Sequence, residues 1–118
     1  MDIHFYADSR GRQPVLDWLE HVKKQDKPTY NKTYIMLTYL RQNSHLILSG
    51  EVSRKDIKKL KGTDIWQLRI NENRLLYFYA SGNSLVFTNQ FKKKQNDTPQ
   101  NEIERAVNRM KTWAKEKN

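Results

Sequence analysis

Hydrophobic and polar positions divide the first half of the chain into three segments of regular period. Residues 2 to 7 alternate, with Ile3 and Phe5 on one face, which predicts a short strand. Apolar residues recur at helical spacing from residue 14 to 24 and again from residue 28 to about residue 43, and a proline opens each segment. The pattern therefore predicts one strand followed by two amphipathic helices. The predicted buried side of the second helix consists of Tyr30, Tyr34, Met36, Leu37 and Leu40.

The period changes in the second half of the chain. Residues 46 to 62 are too irregular to predict an element, but from Ile65 onward polar and apolar positions alternate. Asn and Gly residues at 71–73 and 81–83 interrupt the alternation, and these residue types accept the positive φ that tight hairpins require. The predicted result is an antiparallel meander with strands near residues 65–71, 74–80 and 84–91.

A third helix is predicted near the C-terminal end. Thr98 suits its N-cap and Pro99 its first position, and the apolar residues that follow trace one helical face to about residue 115. The order strand, two helices, three strands, helix predicts an α+β fold. The N-terminal strand and the meander would form one small sheet with the helices on one side. A length of 118 residues suits a single domain spanning residues 1–118.

Basic residues are concentrated in the segment that contains the meander. Residues 54 to 94 hold ten Lys and Arg against three Asp and Glu, a net charge of +7 out of the +9 of the whole chain. Basic charge gathered on one structural unit usually faces phosphate groups. The charge distribution therefore points to a nucleic-acid partner.

Several other classes of chemistry lack support. The chain contains no Cys, which excludes disulfides and thiol chemistry and suits a reducing cytoplasm. It shows no secretion signal and no apolar run long enough to cross a membrane, so a cytoplasmic location is expected. The histidines His4, His21 and His45 share no metal-binding spacing, and no glycine-rich nucleotide motif is present. We expect no metal and no cofactor.

Candidate binding residues lie on and beside the predicted hairpin. Trp66, Leu68 and Ile70 should point to one face, and Gln67 and Arg69 to the other. Arg74 begins the next strand within side-chain reach of Arg69, and the planar guanidinium group binds phosphate with two hydrogen bonds. Convergence of these arginines with lysines on one sheet face would form a phosphate site. The lysines concerned are Lys59, Lys61, Lys93 and Lys94.

A purely structural role is an alternative for three of the candidate residues. Lys58 and Lys92 could serve only to block the pairing of exposed strand edges. Phe91 could stack on an RNA base, or it could be a core aromatic at the end of a strand. The pattern alone does not separate these interpretations.

The ordered set of motifs resembles a known family. Residues 59–62 (KLKG), 65–69 (IWQLR) and 74–77 (RLLY) resemble the sheet core of the RelE/HigB toxin superfamily. Residues 89–95 (NQFKKKQ), followed by Thr98-Pro99 and a helix, are most similar to its phage-derived HigB-like branch. The early helix at residues 14–19 is similar as well, so the resemblance covers most of the chain.

The resemblance implies a toxin of a type II toxin–antitoxin pair that cleaves mRNA on the ribosome and thereby inhibits translation. It also implies a small HigA-like helix-turn-helix antitoxin as partner, in a larger complex that binds operator DNA through the antitoxin. Two alternatives remain open. One is a non-enzymatic toxin of the same fold that inhibits DNA gyrase, and the other is a phage-derived nucleic-acid-binding protein.

By position, the resemblance implies roles for individual residues. Arg69 and Arg74 match basic residues of the family's active face, and Lys93 matches a basic residue after the last strand. These three are the expected catalytic cations. Lys59 or Lys61 is a candidate general base, because neighbouring cations disfavour the charged form of a lysine. The expected RNA-binding residues are Lys58, Gln67, Phe91, Lys92 and Lys94. The chain departs from the family in having no tyrosine after Tyr79 and neither His nor Asp at residues 91–93, which are acid/base groups in other members of the family.

Overall fold

The structure, a computed structural model, describes residues 1–117, and the side chains of residues 1–116. Its elements follow the predicted order, with one short strand added before the meander. In chain order they are β1 (Asp2–Phe5), α1 (Pro14–Gln25), α2 (Lys27–Leu48), β2 (Ile57–Lys59), β3 (Trp66–Ile70), β4 (Asn73–Ala80), β5 (Ser84–Lys92) and α3 (Gln100–Lys117). None of the described helices combines the length and the apolar character needed to span a membrane.

The five strands form one mixed sheet in the order β1-β5-β4-β3-β2. β1 runs parallel to β5, and the other neighbours are antiparallel. The predicted α+β fold with its meander is therefore confirmed. β2 was not predicted, because it has three residues and only Ile57 is buried, which is too short for a period of two to be visible.

Asparagine turns join the strands of the meander. Ile70 pairs with Asn73 across the β3–β4 hairpin, and Asn71 has a φ of 54°. Asn83 has a φ of 61° in the β4–β5 turn. Both residues occupy the left-handed region that Asn tolerates better than most residues, which confirms the predicted turns.

The second helix is longer than predicted and buries a different side. Tyr34 is 62% exposed, so its predicted place on the buried side is wrong, whereas Met36 and Leu40 are buried as predicted. Small hydroxyl residues occupy part of the buried stripe, because their hydroxyl groups find partners there. Thr33 donates to the carbonyl of Thr29 at 2.8 Å. The buried residues of α2 are Thr29, Thr33, Met36, Leu40, Ser44 and Ile47.

Helices cover both faces of the sheet, so the prediction that they lie on one side is wrong. α1 and α2 pack against one face through a cluster that includes Val15, Leu40, Tyr77 and Phe87. α3 packs against the other face, where Ala106 joins a second cluster. That second cluster also contains Tyr6, Leu60, Ile65, Leu76, Phe78, Val86 and Phe91. Burial on both faces explains why six consecutive residues of β4 are buried, from 73 to 78.

A β-bulge in β5 changes which side chains reach which face. Leu76 pairs with Asn89 and Tyr77 pairs with Phe87, so Thr88 is the extra residue. Before the bulge, Phe87 faces α1 and α2; after it, Phe91 lies in the cluster on the α3 side, although strict alternation over four residues would put both on one face. The bulge is held by the Thr88 hydroxyl, which donates to the Leu76 carbonyl at 3.2 Å.

Candidate functional site

A cationic cleft lies on the part of the α3-side sheet face that α3 leaves open. Two cross-strand rows form its floor. Arg69 of β3 pairs with Arg74 of β4, which pairs in turn with Phe91 of β5. The neighbouring row begins with Lys58 of β2, which pairs with Gln67. The complete lining of this cationic cleft is Lys55, Asp56, Lys58, Gln67, Arg69, Arg74, Phe91, Lys93, Asn96, Asp97 and Thr98.

The two arginines have different environments despite being cross-strand partners. Arg69 is exposed, whereas Arg74 is only 7% exposed. The Arg74 guanidinium donates to the carbonyls of Asn71 at 2.8 Å and Asn73 at 3.0 Å, which ties it to the β3–β4 turn. Burial, and secondly the charge of Arg69, lower the pKa of Arg74 from its usual high value. An anion that enters the cleft would relieve this repulsion between two cations.

A loop from β5 to α3 forms one wall of the cleft. Its first residue is fixed because the Lys93 amide donates to the Glu72 carbonyl at 2.7 Å. At the far end the Thr98 hydroxyl donates to the side-chain carbonyl of Gln67 at 2.7 Å. The prediction that Thr98 caps the helix is therefore wrong: its hydroxyl bonds to the sheet and α3 begins at Gln100.

The opposite wall contains an ion pair. Arg54 donates to both carboxylate oxygens of Asp56, at 3.0 and 3.1 Å, and its guanidinium lies over the Tyr39 ring at 4.6 Å. The Arg54 hydrogen bonds hold the pKa of Asp56 below its usual range. The Asp56 carbonyl also accepts a hydrogen bond from the Arg69 amide at 2.8 Å, which couples this wall to the floor.

The structure brings six of the ten sequence-predicted site residues together in the cleft. They are Lys58, Gln67, Arg69, Arg74, Phe91 and Lys93. Phe91 serves mainly as a core residue, because only 9% of it is exposed, and this favours the core interpretation over base stacking. Lys58 lines the cleft in addition to lying on the edge strand β2.

The other four predicted residues do not line the cleft. Lys59 pairs with Trp66, so its side chain points away from the face that carries Arg69. It lines a separate, more apolar groove with Trp66 and Tyr79. The predicted convergence of Lys59 with Arg69 is therefore wrong. Lys61 is exposed in the turn after β2.

The positions of the two remaining lysines follow from the bulge in β5 and from the loop after it. Lys92 lines a groove on the opposite face, beside Trp18 and His21. It directly follows Phe91, whose side chain lies on the α3 side, and successive strand residues point to opposite faces. Lys94 is exposed in the loop. Neither residue is among those that line the cleft.

Sequence reasoning missed the remaining lining residues. Lys55 and Asp56 lie in the irregular stretch for which no element was predicted, and Asn96 and Asp97 lie in a loop without periodicity. The signal that was available is the spacing of Arg54 and Asp56, two residues apart and directly before a strand. No comparable signal marks Asp97.

Comparisons with known proteins agree with this architecture. The family model described as phage derived protein Gp49-like (DUF891) matches residues 17–111. Among solved structures, the fold is similar to a chain of the YoeB–YefM complex from Staphylococcus aureus. The TM-score is 0.56 at 20% sequence identity, and the match covers 80% of this chain and 98% of that chain. No curated protein sequence matches significantly. Because the family model spans most of the sequence, the chain belongs to the phage-derived Gp49-like family of the RelE/HigB toxin superfamily.

Proposed function

We propose that this protein is the toxin of a type II toxin–antitoxin pair and that its cationic cleft binds and cleaves mRNA on the ribosome. The observation that carries the proposal is the set of cations around one open cleft. Arg69 and Arg74 lie on its floor, and Lys58 and Lys93 lie beside them. Family membership and the resemblance to a protein solved within a YoeB–YefM complex support the same role.

The cleft suits a phosphodiester in size and charge. Its volume is about 100 Å³, which accommodates a phosphate group rather than a folded RNA. Cleavage by a 2′-hydroxyl places extra negative charge on the phosphate oxygens in the transition state, and fixed cations stabilise that charge most when water is partly excluded. Orientation of the RNA by the ribosome would supply the positioning that such a small site lacks.

An antitoxin partner follows from the same proposal. The neighbouring solved structure is a complex of YoeB with YefM. For this chain we propose a small HigA-like helix-turn-helix antitoxin that binds the toxin in a larger complex and carries the contact with operator DNA. An adjacent reading frame for such a protein, and its copurification with the tagged toxin, would support the pairing. A toxin gene without a neighbouring partner gene would contradict it.

Mapping of mRNA 5′ ends tests the enzymatic proposal. The purified protein should produce cuts linked to codon boundaries in translated mRNA, and few or none in the same RNA without ribosomes. Arg69→Ala should abolish the cuts, whereas Arg41→Ala, which removes an exposed arginine of α2, should leave them unchanged. If translation continued normally while DNA supercoiling failed, the gyrase alternative would replace the proposal.

A further inference from the structure

The loop wall of the cationic cleft holds one carboxylate in a defined place. Asp97 lines the cleft and directly precedes Thr98, whose hydroxyl is hydrogen-bonded to Gln67 at 2.7 Å. Gln67 is only 6% exposed, so this anchor sits on the packed part of the sheet. The other end of the loop is fixed by the bond from the Lys93 amide to the Glu72 carbonyl. Asp97 is exposed, and it lies directly beside the anchored Thr98 in a loop whose two ends are both hydrogen-bonded to the strands and their turn.

The two carboxylates of the cleft differ in their partners. Asp56 receives two hydrogen bonds from Arg54 within an ion pair, which occupies its oxygens and neutralises its charge. Among the described residues, Asp97 takes part in no ion pair, and it lines the same cleft as Arg69 and Arg74. A carboxylate without a partner can accept a proton, whereas lysine and arginine are protonated at neutral pH and cannot.

We propose that Asp97 is the general base of the cleft and accepts the proton of the RNA 2′-hydroxyl. This inference rests on the proposed endoribonuclease function. The Asp97 carboxylate takes the proton, and the 2′-oxygen forms a bond to phosphorus while the bond from phosphorus to the 5′-oxygen breaks. Arg69 and Arg74 stabilise the added negative charge, and the Lys93 ammonium gives a proton to the leaving 5′-oxygen. The products are a 2′,3′-cyclic phosphate and a 5′-hydroxyl end.

If Asp97 is the general base, Asp97→Asn should affect RNA binding and RNA cleavage differently. Its negative charge lies in a cleft that attracts phosphate, so Asp97→Asn should bind RNA as well as the wild type or more tightly. The same change removes the proton acceptor, so single-turnover cleavage on programmed ribosomes should slow by about 100-fold or more, as is typical of a lost general base. A residue that served binding alone would weaken binding and cleavage together.

The experiment compares matched variants of the full-length protein. Cleavage is measured on ribosomes programmed with a defined mRNA, and binding is measured with a 2′-O-methyl RNA, which lacks the attacking hydroxyl. Asp64→Asn is the control, because Asp64 is an exposed carboxylate outside the cleft and its loss changes the net charge equally. Asp97→Glu keeps the carboxylate and should retain more of the cleavage rate than Asp97→Asn. Thermal unfolding of each variant checks that the fold is intact.

The outcomes distinguish a failure of the general-base role of Asp97 from a failure of the endoribonuclease proposal. Slow cleavage with intact binding in Asp97→Asn, and partial recovery in Asp97→Glu, would support the role. Cleavage by Asp97→Asn within about threefold of the wild type, far from the loss a general base produces, would overturn it while leaving the endoribonuclease proposal intact. Equal loss of binding and cleavage would also overturn it. A wild-type protein that cleaves no mRNA on ribosomes would overturn the function and the inference together.

Discussion

At the scale of single residues, the cross-strand arginines combine two roles that their sequence positions do not distinguish. Arg69 is exposed and free to meet a phosphate, whereas Arg74 is buried and bonded to two carbonyls of the adjacent turn. Both arginines face one cleft, so both contribute to its potential. Among the described residues, the side chain of Arg74 also donates hydrogen bonds to the fold, whereas no such bond is seen from the side chain of Arg69.

We expect Arg69→Ala and Arg74→Ala to differ in stability although both reduce toxicity. Arg69→Ala should leave the free energy of unfolding within about 0.5 kcal/mol of the wild type, as is usual for surface changes. Arg74→Ala should lower it by about 2 kcal/mol, because hydrogen bonds from a charged donor to carbonyls are lost. Urea unfolding and growth assays measure the two effects. Equal stability of the two variants would contradict the structural role of Arg74.

The buried hydroxyl of Tyr77 permits a second prediction at this scale. No group among the described residues meets hydrogen-bond geometry with it, although the Tyr79 hydroxyl is close enough to interact with it. Burial, and secondly this interaction with Tyr79, raise the pKa of Tyr77 far above its usual value. Tyr77→Phe should therefore raise the free energy of unfolding by about 1 kcal/mol, since an unpaired buried hydroxyl is removed. The group stays neutral over the working pH range, so the gain should not vary with pH.

Tyr79→Phe is the matched control for Tyr77→Phe. The Tyr79 hydroxyl donates to Ser44 at 3.1 Å. The same substitution should there lower the free energy of unfolding by about 1 kcal/mol. Changes of the same sign at the two positions, measured by urea unfolding, would show that the Tyr77 hydroxyl is paired.

At the scale of elements, α2 depends on a cap that sequence patterns of apolar residues do not reveal. Asp26 accepts hydrogen bonds from the Thr29 hydroxyl at 2.7 Å and from the Thr29 amide at 3.3 Å. These bonds hold the pKa of Asp26 below its usual range. A lowered folded-state pKa stabilises the protein above the ordinary pKa of aspartate, and this contribution is lost as the pH falls through the folded-state pKa.

Asp26→Asn should make stability less sensitive to acid. Asparagine can cap the helix but does not titrate, so the fall in unfolding free energy between about pH 5 and pH 2 should be shallower than in the wild type. Asp64→Asn, which changes an exposed carboxylate in a turn, should keep the wild-type slope. Urea unfolding at several pH values measures both. An unchanged slope in Asp26→Asn would mean that the cap contributes nothing to acid sensitivity.

At the scale of the whole molecule, the net charge of +9 is divided between the cleft and its surroundings. Cations in the cleft should hold the reacting phosphate, while Lys94 and similar exposed lysines should attract the RNA backbone at longer range. This separation predicts that the two groups of cations affect binding and cleavage differently.

RNA binding should therefore be strongly dependent on salt. Four phosphate contacts would give a log–log slope near −2.8 for single-stranded RNA, or roughly a 50-fold loss of affinity between 50 and 200 mM salt. Lys94→Gln should make the slope shallower without changing the cleavage rate at saturating RNA. Arg41→Gln is the control with an equal change of charge, because Arg41 is an exposed residue of α2, which packs on the sheet face opposite the cleft. Anisotropy of a labelled 2′-O-methyl RNA measures the slopes.

The sequence by itself determined the order and type of nearly all the elements. Local periods, asparagine turns and prolines at helix starts act over a few residues, so they can be recognised without the fold. The same local chemistry identified Arg69, Arg74 and Lys93 as candidates. The predictions failed for a very short strand and for a buried stripe that mixes apolar and polar residues. β2 has three residues, and the buried stripe of α2 contains Thr33 and Ser44.

The tertiary structure alone decided which candidates meet. The bulge at Thr88 is stabilised by partners distant in sequence, the Leu76 carbonyl and the Arg109 side chain, and it shifts Phe91 to the cleft side of the sheet. The hydrogen bond from Thr98 to Gln67 spans 31 residues and sets the loop that carries Asp97. Such contacts depend on packing between elements rather than on neighbouring residues. For that reason Arg69, Arg74 and Lys93 could be predicted from the sequence, whereas Asp97 could not.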